Sequence, residues 1–251
     1  SAALIAALAV VVFWRLCLEV TGSRKTALWC TVACALGTSV LSTASLGLWQ
    51  HGPACLSLGL TIYLLWRAEK GGRWALVGAG LAAGWGYACR PTNAIMVAIV
   101  FLWVLRRFGW RALWTFVPCG ALVLLVAVWN QSVYGSFRGG YAQNVASFGF
   151  PDWQVALAQL FSPSRGLLIF SPWLLFAVAW GGLRASREPL SRGAFLFYGA
   201  VGMWILFAAW STWAGGCSFG ARYLCEAAFL LAMVLPFEIQ RLAGRRILWA
   251  L

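Results

Sequence analysis

Residues 73–107 read RWALVGAGLAAGWGYACRPTNAIMVAIVFLWVLRR, and this stretch decides the fold. Two apolar segments, Trp74 to Cys89 and Pro91 to Leu105, are flanked by Arg73 and by Arg106 and Arg107, with Arg90 alone between them. Each segment is about 15 residues, or ~23 Å as a helix at 1.5 Å per residue. Neither alternates in polarity as a half-buried strand would, so both are read as helices that cross a hydrocarbon layer and return. Because they are short, their shared turn sits near or below the membrane surface. An unpaired cation is costly there and polar groups face a cavity or a partner, so Arg90 is expected to floor an indentation.

The same grammar runs along the whole chain. The patches Arg15/Arg24/Lys25, Arg67/Lys70/Arg73, Arg106/Arg107/Arg111, Arg184/Arg187/Arg192 and Arg241/Arg245/Arg246 hold 15 of the 19 basic residues. Short basic loops between apolar spans mark the cytoplasmic side. A composition of 62% hydrophobic and 10% charged residues excludes a soluble domain of this size. The net charge of +13 sits in those loops, so it argues for no nucleic-acid partner. Counting crossings between patches gives roughly nine helices, with the N-terminus outside and the C-terminus inside.

The expected spans are Ala3 to Leu18, Thr26 to Ser42, Pro53 to Trp66, Trp74 to Cys89, Pro91 to Leu105, Ala112 to Asn130, Gly166 to Leu183, Ala194 to Trp210 and Tyr223 to Gln240. The fold class is therefore all-α: a polytopic transmembrane helical bundle, a single domain over residues 1–251, with short re-entrant-like outer turns. Ser1 is not a methionine and the first span lacks a basic leader. The chain is accordingly read as a fragment with an external segment ahead of Ser1.

Arg90, Arg138, Arg165 and Arg222 fall in the linkers on the opposite side, where the positive-inside rule gives no reason for arginine. Cys89-Arg90-Pro91-Thr92-Asn93 places a planar five-donor cation at a helix–helix turn, suited to a phosphate oxyanion or to capping the preceding helix. Asn130 to Tyr141 leaves the membrane as a Gly- and aromatic-rich loop, in which Arg138, Phe137 and Tyr141 suit a sugar phosphate or an interfacial aromatic belt.

Pro151 to Phe161 has the amphipathic pattern of a helix lying on the outer surface, with Asp152 as its N-cap or, alternatively, as a metal or acid/base residue. Ser162-Pro163-Ser164-Arg165-Gly166 leads into a helix whose N-terminal amides could meet one anion. Trp210 to Tyr223 packs rings, glycines and Arg222 into one turn. Arg222 and Glu226, four apart, either pair along a helix or orient the arginine toward a ligand. The lone histidine, His51, lies at the entrance to a helix, with a hydrogen-bonded interface role or contact with substrate as its two uses. The eight cysteines show no metal-ligand spacing and are read as packing residues, with Cys89 and Cys217 as the one pair near outer helix ends.

These residues resemble the GT-C superfamily of polytopic glycosyltransferases that use polyprenyl-phosphate sugars, near the protein mannosyltransferases and the lipid A aminoarabinose transferases. The likeness rests on Leu48-Trp49-Gln50-His51-Gly52-Pro53-Ala54, Arg90-Pro91-Thr92, Tyr134 to Tyr141, Leu160 to Leu167 with Ser171-Pro172, and Ser218-Phe219-Gly220-Ala221-Arg222-Tyr223-Leu224. Singly these are weak; in this order they are fairly specific.

The resemblance implies transfer of a sugar from a lipid phosphate to a lipid, glycan or protein hydroxyl on the outer face of a bacterial inner membrane. It implies a polyprenyl-phosphate donor held by Arg90, Arg138, Arg165 and Arg222, with His51, Tyr141, Trp213 and Phe137 around it. No cofactor follows beyond an open place for a divalent metal ion. The catalytic carboxylate of such enzymes lies on the first large external loop, which would precede Ser1, so this fragment is expected to be inactive alone. A lipid-linked oligosaccharide flippase is the competing reading. It should carry polar residues along both halves of several spans, whereas these are polar at their outer ends. A non-catalytic membrane scaffold is the third.

Overall fold

The structure is a computed structural model that describes residues 2–141, 147–215 and 220–250. Its α-helices are α1 (Ala2–Thr21), α2 (Arg24–Leu36), α3 (His51–Glu69), α4 (Arg73–Cys89), α5 (Ala94–Phe108), α6 (Leu113–Tyr134), α7 (Trp153–Phe161), α8 (Leu167–Phe170), α9 (Leu174–Arg187), α10 (Arg192–Ala208) and α11 (Cys225–Ala250). Among the described residues the only extended pairing is an isolated bridge between Phe148 and Trp210. The all-α expectation holds.

Among the described residues, three stretches are long and apolar enough to cross a membrane: Ala2–Thr21, Pro91–Tyr134 and Arg222–Gly244. Leu174–Arg187 and Arg192–Ala208 pass the same test together but are bent by 115°. The 44-residue stretch folds back on itself. Phe101 and Phe116 stack at 3.7 Å, whereas a straight helix would hold residues 15 apart at ~22 Å. On α6, Leu113, Val117, Leu124, Leu125 and Val128 are all more than half exposed, a continuous apolar face suited to lipid.

The centre of the bundle is α11. Every residue from Leu224 to Val234 is buried, and the helix packs against α1, α2, α3, α9 and α10. Phe229 meets Phe13 of α1 at 5.8 Å between ring centroids. At the side of the bundle, α4 lies on α6 through Gly80 and Gly84, where a Cβ at Gly80 would strike the Thr115 carbonyl and a Cβ at Gly84 the Leu122 side chain. Small residues four apart let two helix backbones approach without a hydrophobic driving force, as membrane helix pairs require.

Two expected spans are interrupted. Thr26 to Ser42 stops being α-helical at Leu36, and a wide π-helical turn follows at Val40–Ala44. The Gly37 carbonyl there accepts a hydrogen bond from Trp173 Nε1 at 2.9 Å instead of continuing the helix. Gly166 to Leu183 breaks between α8 and α9 at Ser171, whose φ of −139° and ψ of 62° leave the helical region. Pro172 follows, and a proline pushes the residue before it out of helix.

Ion pairs place the basic patches at one end of the bundle. Glu19 binds Arg67 and Lys70, each at 3.1 Å, Arg192 and Arg107 converge on Glu69, and Arg184 reaches Glu238 at 2.6 Å. The described cysteines are free, and all but Cys89 are buried, in keeping with packing roles; Cys217 lies outside the described residues.

Candidate functional site

At the opposite end of the bundle, Pro91 decides the position of Arg90. The proline holds Arg90 extended, at φ −152° and ψ 108°, so the residue ends α4 with its N–H on the Gly86 carbonyl at 3.1 Å. Its side chain is thereby turned into the bundle, where it is 2% exposed. The first turn of α11 brings Glu226 to meet it, and the first residue of α3 brings His51. Both are fully buried.

Arg90 Nη1 donates to Glu226 Oε2, and His51 Nδ1 lies 3.0 Å from Glu226 Oε1 and 3.0 Å from Arg90 Nη1. A carboxylate only accepts and a guanidinium only donates, so Nδ1 bonds Glu226 when it carries the proton and accepts from Arg90 when it does not. Two aromatic rings complete the enclosure: the Arg90 guanidinium carbon lies 4.8 Å from the Phe207 ring centroid and 5.9 Å from that of Tyr223. His51 Nε2 and the neighbouring Thr92 Oγ1 and Asn93 Oδ1 are buried without a hydrogen-bond partner among the described residues.

Above Arg90 opens a cleft of about 280 Å³ lined by Gln50, Pro91, Thr92, Ile95, Leu206 and Tyr223, with Phe148 and Trp210 among its walls. Its aromatic wall is Tyr223, Trp210 and Phe148: Tyr223 stacks on Trp210 at 5.0 Å and on Phe207 behind it at 5.2 Å, and Phe148 is tilted on Trp210 at 4.8 Å. A second, tighter cleft shares Tyr223 and gathers Arg165, Arg222, Trp213 and Gln159. Arg222 lies over the Trp49 ring at 3.7 Å and 5.9 Å from the Tyr223 centroid, and its Nε is buried with no partner among the described residues. Tyr223 is therefore flanked by two arginines, each at 5.9 Å.

Of the four arginines outside the basic patches, three reach this pair of clefts: Arg90 in the first, Arg165 and Arg222 in the second. Arg138 does not line either; it is exposed on the turn after α6, with its N–H 3.3 Å from Ser136 Oγ. Phe137 beside it is 66% exposed. The side chain of Tyr141 lies outside the described residues.

Several local expectations change. Arg222 and Glu226 do not pair along a helix, because Arg222–Leu224 forms a 3₁₀ turn and α11 begins only at Cys225, which sends the two side chains in different directions. His51 opens α3 as expected but is buried against α11 and not at an interface. The helix after Arg165 is a single turn, Leu167–Phe170, too short to supply much dipole to an anion. Asp152 is the N-cap of α7, accepting from Gln154 N at 2.8 Å. That helix is held to α10 by Gln159 Nε2 on the Phe207 carbonyl at 2.8 Å and Trp204 Nε1 on the Ala156 carbonyl at 3.0 Å.

Sequence reasoning missed Trp49, Phe207 and the pairing of Glu226 with Arg90. The available signal was charge: Arg90 and Glu226 are opposite ions at the ends of apolar helices away from the basic patches, and such ions seek each other.

A family model described as dolichyl-phosphate-mannose-protein mannosyltransferase matches residues 1–131. The chain belongs to this family. No curated protein and no solved structure matches it. Membership in the mannosyltransferase family implies membrane glycosyltransferase activity with a lipid-linked sugar donor. The matched residues run from α1 almost to the end of α6 and hold His51 and Arg90, whereas Arg138, Arg165, Trp213, Arg222 and Glu226 follow them. Among the described residues, no three His, Cys, Asp or Glu side chains are grouped to hold a metal ion.

Proposed function

We propose that this chain forms the donor-phosphate site of a glycosyltransferase that moves a sugar from a polyprenyl-phosphate donor to an acceptor hydroxyl on the outer face of a bacterial plasma membrane. In this reading roughly nine of its helical segments cross the bilayer, with the basic end inside. The observation that carries the reading is Tyr223 between Arg90 and Arg222, with Arg165 in the adjoining cleft.

The chemistry asks for such a cluster. An acceptor oxygen attacks the anomeric carbon, the bond from that carbon to the phosphate oxygen breaks, and its electron pair stays on the phosphate. Charge grows on the leaving group, and preorganised guanidiniums in a site shielded from water stabilise it. Arg90 is preorganised by Glu226 and His51, Arg222 by the Trp49 ring, and an aromatic wall suits the apolar face of a sugar. A single displacement inverts the anomeric centre.

The acceptor proton needs a base. Glu226 already neutralises Arg90 and Asp152 caps α7, so the base is assigned to neither of them. Arg138, exposed on the turn after α6, is assigned to the rim that the acceptor crosses.

The test is sugar transfer from a defined polyprenyl-phosphate donor by the protein, with Arg90→Gln and Arg222→Lys as variants. Loss of turnover in both supports the reading. Full turnover in a stably folded Arg222→Lys protein defeats it.

A further inference from the structure

At the basic end, the C-termini of α3 and α5 meet the N-terminus of α10 around one carboxylate. Glu69 has 6% of its side chain exposed, accepts from Arg192 Nε at 3.1 Å and from Arg192 Nη2, and has Arg107 Nε at 3.5 Å. Arg106 lines the same cleft and has no acidic partner among the described residues. The other carboxylates of this end are engaged elsewhere: Glu19 by Arg67 and Lys70, Glu188 by Arg241 and Arg184, Glu238 by Arg184. Three guanidiniums against one carboxylate leave two positive charges uncompensated across the cleft.

The shape suits a ligand. The cleft has a volume of about 460 Å³, inside the ~300–1,000 Å³ usual for small-molecule sites. The Arg192 guanidinium carbon lies over the Trp66 ring, 4.8 Å from its centroid, a cation–π contact that helps to position its donors. Ser191 caps α10 at the cleft, accepting from Ala194 N at 3.3 Å, and the N-terminal end of this 17-residue helix adds partial positive charge. Trp103 and Phe195 stack at 6.0 Å along one wall, and Leu190, 52% exposed, extends that apolar surface outward. Cations beside an exposed apolar rim, at the level where apolar helices end, match an amphiphile whose head is a phosphate.

We propose that this cleft, at the end opposite the aromatic clefts, binds the headgroup phosphate of an anionic membrane lipid. Arg106 and Arg107 supply exposed donors, while Arg192, held by Glu69 and Trp66, supplies the third. The site does not depend on the sugar-transfer reading, because it shares no residue with that site.

The test uses the purified full chain in detergent, delipidated and titrated with phosphatidylglycerol, phosphatidylcholine and pyrophosphate, with bound ligand counted by native mass spectrometry. Phosphatidylglycerol is expected to bind more tightly than phosphatidylcholine. Arg106→Gln, which leaves the Glu69 contacts intact, should weaken phosphatidylglycerol binding by roughly five-fold, the weight of one basic residue near an anionic surface. Arg67→Gln, at the same end but paired with Glu19, should not. Equal affinity for the two lipids, or equal loss in Arg67→Gln and Arg106→Gln, overturns the proposal in favour of diffuse surface charge. Pyrophosphate binding as tight as the lipid's overturns the lipid assignment and makes the cleft a site for a soluble phosphate compound.

Discussion

Arg90, at the turn after α4, and Glu226, in the first turn of α11, form an ion pair with 2% and 0% of their side chains exposed. Removing one partner strands the other charge in a low-dielectric interior. Arg90→Met is therefore expected to cost about 3–5 kcal/mol of stability. Arg90→Met combined with Glu226→Leu should recover most of that loss, since neither charge remains to be paired. Unfolding titrations in mixed micelles measure both. Sugar transfer should stay absent in the double variant, separating the pair's role in ligand binding from its role in folding.

Arg222 rests on Trp49 at 3.7 Å and makes no pair with Glu226. Arg222→Lys keeps the charge but loses the flat stack and the fork of donors. Turnover is expected to fall by roughly 10- to 1000-fold, with thermal stability little changed. Trp49→Ala should lower turnover in the same direction by a smaller factor, because the guanidinium stays but its plane is no longer fixed.

Gly80 is where α4 and α6 come closest. A Cβ there would strike the Thr115 carbonyl and lie 2.8 Å from Pro118 Cγ, so Gly80→Ala should destabilise by about 1–3 kcal/mol. The same change at Gly120, which has nothing within 4 Å, should be neutral or stabilising by up to ~1 kcal/mol through helix propensity. Unfolding free energies of the two variants, compared side by side, check both signs.

Asp152 caps α7 through Gln154 N. Asp152→Ala should cost about 1 kcal/mol of local helix stability, visible as faster hydrogen exchange across residues 153–161. Asp152→Asn, which preserves the cap, should leave both exchange and turnover unchanged. A large loss of turnover in the Asn variant would show that the carboxylate has a chemical role.

The amino-acid sequence alone determined that this chain is an all-helical membrane bundle with its basic residues at one end. Those properties follow from one-dimensional patterns: apolar length against bilayer thickness, and the bias of Lys and Arg toward one set of loops. It also pointed to Asp152 as a helix cap and singled out Arg90, Arg138, Arg165 and Arg222 as cations outside the basic patches, of which all but Arg138 line the two clefts.

Only the tertiary structure decided their partners. Glu226 stands four residues from Arg222 but 136 from Arg90, and a local rule favours the near neighbour. The choice went the other way because the 3₁₀ turn at Arg222–Leu224 rotates Arg222 outward, while Pro91 turns Arg90 inward to where α3 and α11 bury His51 and Glu226. Sequence spacing sets which side chains share a helix face. Which faces meet is set by how helices pack, and a buried charge, costly without a partner, takes the partner that packing supplies.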